Sequence, residues 1–293
     1  MPQHLIKLTR PHQWLKNGFI FLPMFFSGQL SSLSNWAACI VAFCAFCFAS
    51  SSIYCFNDIF DAKADREHPK KRLRPVASRE IEIKTAYIFM FLLLSLSIAT
   101  ILVFAGEKRF PLLITIGAYY LMNIAYCVKL KQIAIIDVTI IAIGFVLRVL
   151  SGGIATGIAI SQWIVLMTFL LALFLAFAKR RDDVIIFQNT GVAVRKNTGR
   201  YNVNFMNHVL SMVATITIVS YIMYTVSEEV VTRLNSHYVY LTSIFVLTGI
   251  LRYLQIALVE EKSESPTKIL LTDRFIQLSI VCWVVSFFII IYL

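Results

Sequence analysis

Four oxygen-bearing side chains follow one another at helical spacing at the end of an apolar segment. Asn57, Asp61 and Asp65 are four residues apart, and Asp58 precedes Asp61 by three. On a continuous helix they share one face, where like charges repel without a counter-ion. A divalent cation would supply that counter-ion, and oxygen ligands without Cys or a well-placed His favour Mg²⁺ or Mn²⁺ over zinc. Because Mg²⁺ is usually held by one or two carboxylates and by substrate phosphates, this face predicts a diphosphate substrate.

A run of cations follows these acids directly. Arg66, Lys71 and Arg74 belong to residues 57–85, which hold 8 basic and 6 acidic side chains in a chain that is only 15% charged. Arg holds phosphate oxygens bidentately and Lys acts as a point charge, so these side chains are candidate phosphate ligands. Two simpler interpretations stay open. The acids could pair with local Lys and Arg on a solvated helix end, or the cations could anchor the chain at anionic lipid.

The composition indicates where such a site lies. Apolar residues make up 58% of the 293 residues, against about 45–50% in a soluble domain. Apolar runs fall near residues 18–30, 36–56, 86–105, 110–127, 133–150, 161–178, 205–226, 237–257 and 275–292. The pattern excludes a soluble enzyme, a disordered chain and a disulfide-built secreted module. It predicts an all-α polytopic membrane bundle of about nine transmembrane helices, of which the first is short and interrupted by Pro23.

The charges are distributed unevenly between the two sides of this bundle. With a cytoplasmic N-terminus, 22 of the 27 Lys and Arg residues fall in segments on that side. The positive-inside rule thus explains the net charge of +11 without a nucleic-acid partner. The sequence predicts an integral inner-membrane protein with its N-terminus and active site cytoplasmic.

Two of the cytoplasmic segments, 57–85 and 179–204, are long enough to hold chemistry. Their starts at 57 and 179 are 122 residues apart, which suggests two related halves. We therefore expect a single domain, 1–293, with halves of about 1–132 and 133–293.

The stretch Asn57-Asp58-Ile-Phe-Asp61-Ala-Lys-Ala-Asp65 resembles the NDxxDxxxD signature that the UbiA superfamily of intramembrane prenyltransferases carries after its second helix. The resemblance implies a UbiA-like bundle with a cytoplasm-facing cavity, where Asn57, Asp58, Asp61 and Asp65 bind Mg²⁺ and the metal binds a donor diphosphate. Further stretches look like the branch that transfers phosphoribose to decaprenyl phosphate; they lie at residues 10–17, 65–75, 137–148, 179–183 and 265–274. Arg79 stands where that branch commonly has a glycine.

The segment after the sixth run separates two donor classes. Aromatic prenyltransferases usually carry a second acidic motif there with carboxylates four apart, whereas this chain has Lys179-Arg180-Arg181-Asp182-Asp183. Adjacent aspartates point about 100° apart on a helix, so they make a poor second metal site. The three preceding cations suit an anion such as a 5-phosphate. A positive-inside stop at a helix end explains the same cations equally well.

The resemblance implies transfer of 5-phosphoribose from phosphoribosyl diphosphate to a polyprenyl phosphate, with release of diphosphate. Asp58, Asp61, Asp65 and Lys71 would then be catalytic. The substrate-binding residues would be Lys16, Asn17, Arg66, Arg74, Arg148, Lys179, Arg180 and Asp183. The alternatives are UbiA-type transfer of an isoprenoid from its diphosphate to an aromatic or other acceptor, and a membrane transporter. A homo-oligomer is compatible with the sequence.

Arg148 is also a functional candidate by its position. It lies inside the fifth apolar run, where a charge is costly unless it is paired or hydrated. Asp137 is eleven residues away, or about 16 Å along a straight helix, which is too far for direct pairing. We therefore expect Arg148 to face a cavity.

Overall fold

The computed structural model of the chain describes residues 2–67, 71–191, 197–261 and 266–292. Every regular element within these ranges is helical, and they contain no strand. The α-helices are α1 Pro2–Thr9, α2 Leu22–Phe26, α3 Leu33–Phe60, α4 Ala62–Glu67, α5 Ile83–Phe104, α6 Arg109–Val128, α7 Ile136–Thr156, α8 Gln162–Thr190, α9 Val203–Val226, α10 Glu228–Leu234, α11 Ser243–Leu258, α12 Pro266–Thr272 and α13 Arg274–Tyr292. Short 3₁₀ helices occupy Pro11–Phe21, Lys71–Leu73, Gly106–Lys108, Leu130–Gln132, Thr198–Arg200 and His237–Thr242.

Eight helices of the described residues are long and apolar enough to cross a membrane. They match the predicted runs from 36–56 to 275–292, so the all-α bundle is confirmed and the chain is a multi-pass membrane protein. The predicted transmembrane span at 18–30 is wrong, because this region is divided between the 3₁₀ helix Pro11–Phe21 and the short α2. Pro23 lies in the first turn of α2, and Gly28, with φ of 73°, follows its end.

The chain forms two compact units. The first consists of Met1–Lys131 and Gly144–Ile160, and the second of Gln132–Ile143 and Ser161–Leu293. Helix α7 therefore contributes its first turns to the second unit and its later turns to the first. The related halves expected on either side of residue 132 stay a prediction.

Helix α3 is central to the first unit, where it packs against α1, α5, α6 and the first 3₁₀ helix. Small residues such as Ala45 and Ser52 are fully or almost fully buried along it. The Ser52 hydroxyl donates to the carbonyl of Met90 at 2.9 Å, and the Ser97 hydroxyl donates to the carbonyl of Ala45 at 2.8 Å. Small side chains and hydroxyl bonds of this kind hold membrane helices close together. They fix the helix whose last turn carries Asn57 and Asp58.

Helix α8 continues past residue 178, where the sixth run was expected to end. The stretch 179–183 therefore lies within a helix, not at the start of a loop as the sequence suggests. Gly191 ends the helix in the left-handed conformation, with φ of 69° and its N–H bonded to the carbonyl of Phe187. In the second unit α8 packs against α9, while α11 packs against α9 and α13.

In the first unit, α7 approaches the first 3₁₀ helix very closely at Gly152. A Cβ atom built on Gly152 would overlap the backbone carbonyl oxygen of Ile20. Backbone cannot yield as a flexible side-chain tip can, so this contact needs a residue without a side chain. It sets the distance between α7, which carries Arg148, and the segment that carries Asn17.

We expect Gly152→Ala to destabilise the detergent-solubilised protein by about 1–3 kcal/mol, because overpacking a close contact forces backbone apart. Thermal unfolding followed by circular dichroism measures this loss. Gly117→Ala is the matched control, since nothing lies within 4 Å of a Cβ at that position of α6. Replacing glycine there should gain up to about 1 kcal/mol in helix propensity. Equal unfolding temperatures for the two variants would contradict the close approach at Gly152.

Candidate active site

The four predicted oxygen ligands lie at the end of α3, in the turn that follows it and in α4; we call Asn57, Asp58, Asp61 and Asp65 the acidic face. The N–H of Asp61 bonds to the carbonyl of Asn57 at 2.9 Å, and the N–H of Asp65 bonds to the carbonyl of Asp61 at 2.8 Å. These bonds carry the helical register across the junction between α3 and α4. The members spaced four apart therefore lie on successive turns.

Three cations from separate segments contact the aspartates of this face, and we call Arg10, Arg74 and Lys131 the counter-cations. Their contacts pair Arg10 with Asp58, Arg74 with Asp65 at 2.6 Å and with Asp58 at 3.4 Å, and Lys131 with the two oxygens of Asp61 at 2.6 and 2.7 Å. Every aspartate of the acidic face thus has a positively charged partner within the first unit.

The three ion pairs that involve Asp58 or Asp65 have an almost fully buried carboxylate, and the carboxylate of the Asp61–Lys131 pair is more open. Asp58 and Asp65 are 2% and 4% exposed, and removing one partner of such a buried pair costs about 3–5 kcal/mol. The side chains of Asp61 and Lys131 are 25% and 17% exposed. Repulsion on this face therefore does not require a metal, contrary to the expectation from the sequence, because the protein's own cations balance the charges. The simpler interpretation of pairing with local cations holds only for Arg74, which is nine residues from Asp65, since Arg10 and Lys131 come from distant parts of the sequence.

Arg10 reaches the acidic face from a left-handed backbone conformation, with φ of 50° and ψ of 62°. Such a conformation is uncommon for a residue other than glycine. Its guanidinium carbon lies 5.1 Å from the ring centroid of Tyr54, a cation–π contact one turn before Asp58. Arg10 falls in the N-terminal stretch 10–17 of the resemblance, and Lys131 is one of the 22 cations expected on the cytoplasmic side; the sequence predicts neither as a site residue. Their positive charge was the available signal, but nothing in the sequence pairs them with particular acids.

The other predicted phosphate ligands of the first unit occupy three different positions. Arg66 donates to the carbonyl of Ala77 at 3.2 Å and is exposed. Lys71 begins the 3₁₀ helix that leads to Arg74, and the N–H of Arg74 bonds to the carbonyl of Lys71 at 2.9 Å. Lys16 is half-buried within Pro11–Phe21. Residues 68–70 of the predicted basic run lie outside the described residues.

Arg148 is buried within α7, with 5% of its surface exposed. Its guanidinium donates to the side-chain oxygen of Asn17 at 2.8 Å, to the carbonyl of Gly144 at 2.7 Å and to the Tyr119 hydroxyl at 3.0 Å. It also lies 4.8 Å from the centroid of the Tyr119 ring and 5.5 Å from that of Phe46. All these partners are neutral, and within the described ranges no carboxylate forms a salt bridge with Arg148. Its positive charge is therefore uncompensated by the part of the chain described.

A buried cluster in the second unit engages Arg180. Arg180 donates to Asp137 at 2.5 Å and to Asp183 at 3.1 Å. The Tyr201 hydroxyl donates to the other oxygen of Asp137 at 3.3 Å and accepts the backbone N–H of Ile135 at 2.5 Å. Burial raises the pKa of Tyr201 to about 12, so its hydroxyl stays a neutral donor at physiological pH. The charge of Arg180 is thus balanced within this cluster.

A separate cavity of about 550 Å³ in the second unit is lined by Thr248, Leu251, Arg252, Gln255, Asp273, Arg274 and Phe275. Arg252 lies 2.8 Å from Asp273 and 2.9 Å from Glu260, so two carboxylates balance its charge. The hydrogen bond from Arg252 lowers the pKa of Asp273. None of the predicted site residues lines this cavity, and we do not take it as the active site.

The acidic face fits a divalent metal by the chemistry of its donors. The described residues contain no group of three or more His, Cys, Asp or Glu side chains gathered as a metal site. Mg²⁺, however, is commonly held by only one or two carboxylates together with substrate phosphates and water. The hard oxygen donors on successive turns meet that requirement. Lys131 contacts both oxygens of Asp61, so a metal bound by that carboxylate would have to displace Lys131. Asp58 and Asp65, by contrast, each contact their cations through one oxygen.

The eight apolar helices and the charged acidic face at the end of one of them define a polytopic membrane protein with a candidate catalytic site. The chain belongs to the UbiA prenyltransferase family, whose model matches residues 19–281. It is therefore an enzyme of this superfamily, and the predicted family membership is confirmed.

Several curated relatives carry the name decaprenyl-phosphate phosphoribosyltransferase. The protein from Corynebacterium glutamicum is 31% identical over 96% of this chain and 84% of its own length. The protein from Mycolicibacterium smegmatis is 33% identical over 96% of this chain and 90% of its own length. The protein from Mycobacterium tuberculosis strain H37Rv is 28% identical over 96% of this chain and 92% of its own length.

Solved structures share the fold at lower identity. A UbiA homolog from Archaeoglobus fulgidus bound to GPP and Mg²⁺ has a TM-score of 0.69 at 18% identity, covering 99% of this chain and 100% of its own. An apo UbiA homolog from Aeropyrum pernix K1 has a TM-score of 0.67 at 12% identity, covering 97% of this chain and 98% of its own. These likenesses show the fold alone.

We expect Arg148 and Asn17 to be energetically coupled. Arg148→Met and Asn17→Ala each leave a buried polar group without its partner, which costs about 1–3 kcal/mol. The double variant should lose less than the sum, with an interaction energy of about 0.5–3 kcal/mol. Thermal unfolding of the four proteins measures this cycle. Asn35→Ala is the control, because Asn35 bonds to Gln29, and its loss should add to that of Arg148→Met. Additive losses for Arg148 and Asn17 would rule out the contact.

Proposed function

We propose that the chain transfers 5-phosphoribose from phosphoribosyl diphosphate to a polyprenyl phosphate of the decaprenyl type and releases diphosphate. The observation that carries the proposal is that every aspartate of the acidic face contacts a counter-cation. Such an array offers oxygen ligands for a metal and cations for phosphate oxygens, as a metal-bound diphosphate requires. The printed names of the corynebacterial and mycobacterial relatives support this choice of donor and acceptor.

The acidic face, Asn57, Asp58, Asp61 and Asp65, is proposed to hold Mg²⁺, with Mn²⁺ as a substitute. When bound, the metal supplies positive charge that stabilises the leaving diphosphate. Two solved structures of a UbiA homolog from Archaeoglobus fulgidus contain Mg²⁺ together with GPP or DMAPP, which supports a divalent metal in this fold.

The transfer itself needs little covalent chemistry from the protein. An oxygen of the lipid phosphate forms a bond to the anomeric carbon while the bond from that carbon to the diphosphate oxygen breaks. The electron pair leaves with diphosphate, and the ribose gains oxocarbenium character. A phosphate oxygen is already a nucleophile, so no general base is required. Arg66, Lys71 and Arg74 are proposed to neutralise the charge that grows on the leaving group.

Arg148 is proposed to bind the phosphate of the polyprenyl acceptor. It is a buried cation in a membrane helix, and its partners in the first unit are neutral. Such charges commonly mark substrate pathways. Asn17 contacts Arg148 directly and Lys16 precedes it, so both belong to the same proposed acceptor site.

The residues proposed for the 5-phosphate rest on the sequence. Lys179 is half-buried, and Arg180 donates to Asp137 and Asp183. Binding of a phosphate by Arg180 would require it to leave these carboxylates. The role of Lys179, Arg180 and Asp183 stays a prediction.

The cytoplasmic location of the site is likewise proposed from charge. The segment that follows α3 belongs to the regions that together hold 22 of the 27 Lys and Arg residues. We therefore assign the N-terminus and the acidic face to the cytoplasmic side of the inner membrane. The homo-oligomer compatible with the sequence stays a prediction.

A transfer assay decides between the donors. Purified protein with Mg²⁺, radiolabelled phosphoribosyl diphosphate and a polyprenyl phosphate should yield a labelled lipid in the organic phase. Chelation of the metal should abolish that product. The alternative is UbiA-type transfer of an isoprenoid to an aromatic or other acceptor. No labelled lipid, together with turnover of a prenyl diphosphate and an aromatic acid, would establish the alternative.

We expect Asp61→Ala to lower turnover by at least about a hundredfold, because it removes a proposed ligand of the metal ion whose charge would stabilise the leaving diphosphate. The protein should still fold, because the side chain of Lys131 is 17% exposed and solvent can hydrate its ammonium group once Asp61 is removed. The same assay and thermal unfolding measure the two effects. Glu67→Gln removes an exposed carboxylate from α4 and should leave both unchanged. Wild-type turnover in Asp61→Ala would remove this residue from the metal site.

A further inference from the structure

The acidic face and the counter-cations together carry no net formal charge. Each of the three aspartates contacts a Lys or Arg, and Arg74 bridges two of them. All six charged side chains are at least three-quarters covered by protein, and two of the aspartates, Asp58 and Asp65, are almost fully buried. The partners therefore compensate one another in an environment that screens charge poorly.

This balance opposes binding of either ligand by itself. A divalent metal that enters alone takes carboxylates from the counter-cations and leaves those cations unpaired beside new positive charge. A diphosphate that enters alone takes the counter-cations and leaves carboxylates unpaired beside new negative charge. When both arrive, each displaced group finds a partner of opposite charge, because carboxylates bind the metal and cations bind phosphate oxygens.

We infer that the protein binds divalent metal and donor diphosphate cooperatively through an exchange of ion-pair partners, in which Lys131 leaves Asp61 for the diphosphate. The inference rests on the part of the proposed function that phosphoribosyl and prenyl donors share, the metal-bound diphosphate. By linkage, whatever factor the diphosphate adds to metal affinity, the metal adds equally to diphosphate affinity.

Lys131 is the counter-cation best suited to exchange. The side chain of its partner Asp61 is 25% exposed and therefore open to an incoming ligand, whereas those of Asp58 and Asp65 are 2% and 5% exposed. The side chain of Lys131 itself is 17% exposed, slightly less than those of the other two counter-cations. A lysine ammonium is a compact point charge on a flexible stem, so it can turn without loss of a fixed fork geometry. Arg74, by contrast, contacts two carboxylates at once and would break both pairs.

Equilibrium dialysis of the full chain in phosphatidylcholine nanodiscs tests this inference with Mn²⁺ and radiolabelled inorganic diphosphate as probes. Only ligand retained by protein is counted, so metal–diphosphate complexes in solution do not contribute, and empty nanodiscs give the background. Each probe alone should bind weakly to the wild type. Each should bind at least about tenfold more tightly in the presence of the other.

Lys131→Met should separate exchange from a structural role. Without Lys131 the face carries a net negative charge and Asp61 has no lysine partner, so Mn²⁺ alone should bind more tightly than in the wild type. Diphosphate should then enhance Mn²⁺ binding several-fold less. Lys131→Arg should retain the enhancement, and Lys129→Met, which removes an exposed lysine two residues away, should match the wild type.

Equal Mn²⁺ affinity with and without diphosphate in the wild type would overturn the inference. Weaker binding of Mn²⁺ alone by Lys131→Met would overturn it too, because it would mean that Lys131 merely supports the fold of the site. The probes contain neither ribose nor isoprenoid. If Mn²⁺ and diphosphate enhance each other's binding but the protein fails to transfer phosphoribose, the inference stands and only the proposed donor is rejected. If the protein transfers phosphoribose but Mn²⁺ and diphosphate bind independently, the inference is rejected and the proposed function stands.

Discussion

The ion pairs at the end of α3 join parts of the first unit that are far apart in the sequence. Asp58 contacts Arg10 from the N-terminal segment and Arg74 from the segment after α4. Asp61 contacts Lys131, which follows α6. Because buried charges are costly without partners, these contacts constrain where each segment can lie. The geometry of the acidic face therefore depends on the packing that brings its counter-cations to it.

The two units compensate buried arginines in different ways. Arg180 of the second unit donates to two carboxylates, and its charge is balanced where it lies. Arg148 of the first unit donates only to neutral oxygens and lies over aromatic rings. Both guanidiniums are well satisfied as hydrogen-bond donors, but only Arg148 keeps an uncompensated charge within the described residues. This difference makes Arg148 the stronger candidate for binding an anionic substrate.

Several expectations from the sequence depend on local geometry, and these agree with the structure. The spacing of Asn57, Asp61 and Asp65 predicts successive helical turns, and backbone bonds across the α3–α4 junction give that arrangement. Arg79, which stands where related sequences commonly have glycine, has φ of 65° in the left-handed region. Only glycine adopts that conformation readily, so the glycine preference has a backbone cause. The site roles themselves stay predictions.

The sequence by itself determined eight of the nine spans predicted from it and the helical register of Asn57, Asp61 and Asp65, because hydropathy and helical periodicity are properties of neighbouring residues. Only the tertiary structure decided which cation meets which acid, since Arg10 and Lys131 lie 48 and 70 residues from their partners. It also decided that Arg148 bonds to Asn17, 131 residues away. Such partners are chosen by the packing of helices against one another, and no local pattern encodes that choice.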